Sequence, residues 1–97
     1  MLAKMNKFSC WITETNPATL IYRYTKLLID SGFNIINTCE KWFQPQGFTM
    51  LFLLAESHLA IHTFPERGKT YIELSSCVQV PFENFLRLHT YETTESD

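Results

Sequence analysis

Between positions 56 and 77 the chain gathers side chains able to do covalent and proton-transfer chemistry: Glu56, Ser57, His58, His62, Glu66, Glu73 and Cys77. A hydroxyl near imidazoles and carboxylates suggests a Ser-His-acid hydrolase. Yet no G-x-S-x-G elbow surrounds Ser57 to present it on a strand-to-helix turn. His58 and His62 stand four residues apart, a spacing that pairs metal ligands on a helix, but this segment alternates as a strand. No third ligand accompanies them, and no metal site is expected. Each residue also has an ordinary reading. A cysteine on a strand is usually a small buried hydrophobe, and a lone histidine is more often a surface or hydrogen-bonded core residue than a catalyst. Residue types alone therefore leave the chemistry open, and what decides is which of them the fold brings together.

The elements can be read from period and punctuation. From Lys7 to Thr13, Phe8, Cys10 and Ile12 alternate with Ser9, Trp11 and Thr13, a strand pattern. Asn16-Pro17 is an N-cap followed by proline at the first helical position. Leu20, Ile21, Tyr24, Leu27 and Leu28 then recur at three and four residues to make one apolar helix face, and Gly32 ends the helix. Four strand candidates follow, Phe33 to Cys39, Phe48 to Ala55, His58 to Phe64 and Thr70 to Cys77, with turns at Pro45–Gly47 and Pro65–Gly68. Pro81 opens a short helix carrying Phe82, Phe85 and Leu86, and the chain ends in a polar tail from about residue 91. One domain over 1–97 is expected, of the α+β class: a two-layer sandwich with a mainly antiparallel sheet and helices packed on one face.

Period two divides the faces. Leu59, Ile61 and Thr63 belong with Ile72, Leu74 and Ser76 against the helices; His58, Ala60, His62 and Phe64 share the other face with Tyr71, Glu73, Ser75 and Cys77. A turn of about six residues makes these two strands a hairpin, and the register must keep both aliphatic sets on one side. Pairing Phe64 with Tyr71 does so. That register sets His62 opposite Glu73 and His58 opposite Cys77, with Ser57 close to Cys77.

Composition excludes several partners. The 97 residues carry a formal net charge of −2, with no Lys/Arg cluster to meet a nucleic-acid backbone or an anionic membrane. The N-terminus lacks an apolar signal stretch, and the longest apolar run, Met50 to Ala55, is too short to cross a bilayer. Cys10, Cys39 and Cys77 are odd in number and widely spaced, so reduced thiols and a cytoplasmic location are expected.

One stretch is far more specific. Glu56-Ser57-His58-Leu-Ala-Ile61-His62-Thr63-Phe64-Pro65-Glu66 resembles the hallmark of the prokaryotic S-adenosylmethionine decarboxylases, close to E-S-H-x-x-I-H-T-W-P-E. In that family a cysteine follows the serine by twenty residues, as Cys77 follows Ser57 here. Upstream, Phe43-Gln-Pro45-Gln-Gly47-Phe-Thr49 resembles the family's F-x-P-x-G-x-S segment. The likeness is strong from Phe43 to Cys77 and general before it.

The resemblance implies self-processing. The Ser57 hydroxyl would attack the Glu56 carbonyl, elimination would release a chain ending at Glu56, and residue 57 would become an N-terminal pyruvoyl group, the enzyme's own cofactor. His62 would assist the elimination, and Thr49, at the family's Ser position, would support the processing intermediate. In turnover the ketone would form a Schiff base with the substrate's α-amine and act as the electron sink for decarboxylation. Cys77 would protonate the former α-carbon. Phe43 and Phe64 would sandwich the adenine, and Glu66 would accept hydrogen bonds from the ribose hydroxyls. The resemblance further implies a homodimer, S-adenosylmethionine as the small-molecule substrate, and a place in polyamine (spermidine) synthesis.

Several positions depart from the family pattern. Phe64 replaces the usual Trp, Glu73 the usual Asp and Val78 the usual Gly; the first strand lacks a Gly-x-His entry, and little sequence follows Cys77. Two other functions are therefore weighed: a pyruvoyl decarboxylase of another amino acid such as arginine or ornithine, and an unprocessed binding or regulatory homologue.

Overall fold

A computed structural model describes residues 4–89. Five strands and two helices follow one another as β1 (Asn6–Ile12), α1 (Pro17–Ser31), β2 (Ile35–Trp42), β3 (Phe48–Leu54), β4 (Ser57–Phe64), β5 (Lys69–Ser76) and α2 (Gln79–Leu88), with a 3₁₀ turn at Pro65–Arg67 between β4 and β5. The sheet order is β1-β5-β4-β3-β2 and every neighbouring pair is antiparallel. The expected α+β two-layer architecture is the one found. The polar tail expected from about residue 91 lies outside the described residues.

Local chemistry explains the element ends. The Asn16 side chain accepts the Thr19 amide at 3.0 Å, capping α1 as its sequence suggests. Gly32 takes a φ of 103°, and the following amide of Phe33 returns to the Leu28 carbonyl, closing the helix. α2 begins two residues before Pro81, because the first-turn amides of a helix have no internal partner and a proline there forfeits nothing. β2 begins and ends later than its apolar run suggests. Only Ile35 of this edge strand is packed against the core, so its bounds follow pairing with β3 rather than burial.

Both helices cover one face. Leu20, Tyr24, Leu27 and Leu28 of α1 and Phe82 and Phe85 of α2 meet Ile12, Phe48, Met50, Phe52, Leu54, Leu59, Ile61, Ile72 and Leu74 of the sheet in one core. Each fully buried aliphatic side chain contributes about 1.5–3 kcal/mol over its exposed state. The opposite face stays open, leaving Leu51 and Leu53 of β3 44% and 52% exposed.

The hairpin register differs from expectation by two residues. Phe64 pairs with Lys69, not Tyr71; His62 lies opposite Tyr71 rather than Glu73, and His58 opposite Ser75 rather than Cys77. The cause is the turn. Pro65–Arg67 winds as a 3₁₀ turn, and Gly68 at a φ of 64° donates its amide to the Pro65 carbonyl at 3.1 Å. The chain thus reverses in four residues, and β5 resumes two residues early. Because the shift is even, every side chain within the paired strands keeps its face and only its partners change, while Cys77 falls just past the end of β5.

Candidate active site

The residues singled out above fall into three groups. The first lies at the β3–β4 turn. Ala55 and Glu56 alone connect the paired residues Leu54 and Ser57. Glu56 has a φ of 59°, the left-handed region that a non-glycine residue seldom occupies. Its carbonyl, the one preceding Ser57, accepts the Cys77 amide at 3.3 Å and the Cys77 thiol at 3.1 Å. The same sulfur lies 3.8 Å from Glu56 Oε1. Cys77 follows the last residue of β5, so it reaches the turn from the strand end instead of projecting from a sheet face. Two donors on one carbonyl oxygen polarise it and would stabilise negative charge there, as an oxyanion hole does.

The Ser57 side chain turns toward the core layer, where 7% of the residue is exposed, and its hydroxyl donates to Ser76 Oγ at 2.7 Å. Ser76, wholly buried and opposite Ser57 in register, accepts the Val78 amide at 3.0 Å and donates to the Val78 carbonyl at 3.3 Å. Period two places Ser76 with the aliphatic set, and its part in fixing the Ser57 hydroxyl follows only from the observed register. The cross-strand position opposite Ser57 is the signal that would have found it.

The second group lies five residues further along β4. His62 Nδ1 and Thr49 Oγ1 are 3.0 Å apart, directly opposite one another across β3 and β4, and the imidazole stacks at 22° on Tyr71 with ring centroids 6.5 Å apart. Five residues of extended strand span roughly 16 Å. One chain therefore joins Thr49 to His62 but does not bring either to Ser57. Glu73, expected beside His62, lies opposite Ala60 and is exposed.

The third group surrounds the β4–β5 turn. Phe64, 37% exposed, has Trp11 as its ring neighbour at 5.7 Å, and Trp11 also meets Tyr71 at 5.1 Å. Phe43 donates its amide to the Gly47 carbonyl and lines a cleft of about 500 Å³ with Trp42, Pro45, Thr63 and Pro65. Phe64 is not part of that cleft's lining. Glu66 is exposed within the 3₁₀ turn. Neither Trp11 nor Tyr71 was singled out from sequence; an aromatic opposite an aromatic on adjacent strands was the available signal.

Outside these groups, burial pushes the Cys10 thiol up to about 11, which keeps it protonated and structural. Among the described residues no three potential metal-ligating side chains converge. No helix among them is long and apolar enough to cross a membrane.

A one-sided antiparallel α+β sandwich with a polarised carbonyl before a buried serine defines the class, and similarity to known proteins narrows it. A solved adenosylmethionine decarboxylase from Aquifex aeolicus shares the fold with a TM-score of 0.62, covering 86% of this chain and 73% of that one at 21% identity. Residues 15–95 match the S-adenosylmethionine decarboxylase family, and the chain belongs to that family. Among curated relatives, S-adenosylmethionine decarboxylase proenzyme 2 of Bacillus cereus is 49% identical over 47 residues, covering 48% of this chain and 38% of that protein. The proenzyme of Brevibacillus brevis is 48% identical over 46 residues (47% and 35%), and that of Prochlorococcus marinus 47% over 47 residues (48% and 38%). The matched stretch thus spans well under half the length of these relatives.

Proposed function

We propose that this chain is a self-cleaving, pyruvoyl-dependent S-adenosylmethionine decarboxylase. The observation that carries the reading is the grip of Cys77 on the Glu56 carbonyl, beside the Ser57 hydroxyl held by Ser76. In cleavage Ser57 Oγ bonds to the Glu56 carbonyl carbon, the C–N bond breaks, and the hydroxyl proton passes to the Ser57 nitrogen. Loss of the Ser57 α-proton then expels Glu56 as a carboxylate. The dehydroalanine left behind takes up water and releases ammonia, leaving a pyruvoyl group at residue 57. The Ser57 hydroxyl and its donor-held carbonyl fit this origin.

When formed, the group supplies a ketone that withdraws electrons from an α-amino acid as carbon dioxide leaves. The chain's own residues do the rest. Cys77, beside residue 57, holds a proton for the former α-carbon. Phe64 and Phe43 stack on the adenine, and Glu66 accepts from the ribose. Thr49 and His62 move the proton in elimination, and their distance from Ser57 within one chain argues that a second copy supplies them. The open sheet face with Leu51 and Leu53 is the surface a homodimer would cover. Free thiols suit the cytoplasm, and the decarboxylated product suits polyamine synthesis.

Denaturing mass spectrometry of freshly purified protein tests the reading. Fragments 1–56 and a pyruvoyl-blocked remainder are expected, with carbon dioxide released from S-adenosylmethionine. A single 11.4 kDa chain that persists on long incubation rejects it.

A further inference from the structure

Glu56 occupies the second place of a two-residue turn at a φ of 59°, where glycine or asparagine is the usual resident. An L-residue with a Cβ is disfavoured there by contact with its own carbonyl. Two constraints hold it in place. The Leu54–Ser57 pairing leaves only two residues to reverse the chain, and Cys77 holds the Glu56 carbonyl through its amide and its thiol. The strained residue is the one whose carbonyl carbon the proposed cleavage attacks.

We infer that Glu56 is a positioning residue whose left-handed backbone loads the Glu56–Ser57 bond for self-cleavage, the strain being released as the acyl group moves from nitrogen to oxygen. The inference rests on the self-cleavage reading above. In the uncleaved chain two atoms, the carbonyl carbon and the amide nitrogen, separate the Cα atoms of residues 56 and 57. After Ser57 Oγ bonds to the carbonyl carbon and the C–N bond breaks, with the hydroxyl proton on the nitrogen, three atoms separate them: the carbonyl carbon, Oγ and Cβ. A turn too tight for its residue gains one atom of slack. The strain is therefore present before the shift and relaxed after it, and it lowers the barrier between.

Three variants separate backbone strain from side-chain chemistry. Glu56→Ala keeps the Cβ and removes the carboxylate; Glu56→Asn tolerates the left-handed region better; Glu56→Gly occupies it freely and so should fold well. The rate of appearance of fragment 1–56, followed by acid quench and mass spectrometry, should fall in the order Ala, Asn, Gly. Glycine should be slower than wild type by about five- to thirty-fold, the full cost of the conformation expressed as a rate. A merely structural role would not produce this order, since glycine would only ease the fold. Glu56→Gly cleaving as fast as wild type overturns the inference and leaves the self-cleavage reading standing. Glu56→Ala cleaving as slowly as Glu56→Gly assigns the effect to the carboxylate near Cys77 and also overturns it. A wild-type chain that never cleaves removes the reading beneath, and the inference with it.

Discussion

Ser76→Ala is the substitution whose outcome is best fixed by the geometry. The Ser76 hydroxyl is wholly buried and makes three contacts: it accepts from Ser57 Oγ at 2.7 Å and from the Val78 amide at 3.0 Å, and it donates to the Val78 carbonyl at 3.3 Å. Alanine leaves the Ser57 hydroxyl without its acceptor in a nearly closed site. Burying an unmatched polar group costs about 1–3 kcal/mol, and in a domain of this size each kcal/mol lowers Tm by roughly 4–8 °C. If the same bond orients the hydroxyl toward the Glu56 carbonyl, cleavage should slow about five- to tenfold, the rate equivalent of one net hydrogen bond. Thermal melting and a quenched time course of fragment 1–56 read the two effects. In a Ser57→Ala background the stability loss should shrink by about 1 kcal/mol, because the pair has already been broken. Ser76→Thr keeps the hydroxyl and should recover most of the rate. A Ser76→Ala protein that melts and cleaves like wild type would refute the coupling between these hydroxyls.

Cys77→Ala keeps the backbone amide on the Glu56 carbonyl, so at least partial cleavage is expected while carbon dioxide release per processed chain falls; unchanged turnover would remove Cys77 from proton transfer. Phe64→Ala should weaken nucleoside binding by about 1–3 kcal/mol in a titration with an uncharged adenosine analogue, and unaltered affinity would leave Phe64 only its packing on Trp11. His89 touches the buried Tyr24 hydroxyl at 2.7 Å and packs on Phe8 and Phe85. Burial, partly offset by a backbone hydrogen bond, holds its pKa below the ordinary 6.5. The unfolded chain therefore binds the proton more readily, so the contribution of His89 is complete above pH 6.5 and is lost as the pH falls through the folded-state value. Denaturant midpoints between pH 7.5 and 5 should show the decline, and His89→Gln should flatten it. Finally, a Ser57→Ala chain and a His62→Ala chain, each unable to cleave alone, should restore cleavage of the His62→Ala chain when co-expressed; no fragment in the mixture would place both functions within one copy.

Face assignment was legible in the sequence and register was not, for a physical reason. The alternation in His58–Phe64 and Lys69–Ser76 depends only on period two, and an error of two residues leaves it intact. Partners depend on the turn, and Pro65-Glu-Arg-Gly68 closes more tightly than its length suggests because Gly68 adopts a left-handed conformation. Everything resting on the partner list shifted with it. Glu73 left His62, Tyr71 took its place, and Ser76 came opposite Ser57. The family motif names Thr49 and His62 separately, and their contact at 3.0 Å comes from the β3–β4 register, which the alternation of each strand does not specify. The aromatic sandwich of Phe43 and Phe64 was drawn from the same motif, whereas the ring neighbour of Phe64 is Trp11, on a strand two places away in the sheet.

The separation of Ser57 from His62 also bears on why so small a chain would associate. Both residues sit on β4, which is paired on both sides without a register shift, so no local movement closes roughly 16 Å between its first and sixth positions. Under the proposed function, the bond to be cut would lie at one end of the strand and the proton-handling pair further along it. Two such sheets laid open face to open face, with their strands reversed, would set the far part of one β4 against the near end of the other. The same contact would bury Leu51 and Leu53, which the two helices cannot reach from the opposite side of the sheet. Under the proposed function, hydrophobic burial and completion of the site are one event. A chain kept dilute enough to remain single should then retain an intact Glu56–Ser57 bond while its core, built wholly from one copy, stays folded.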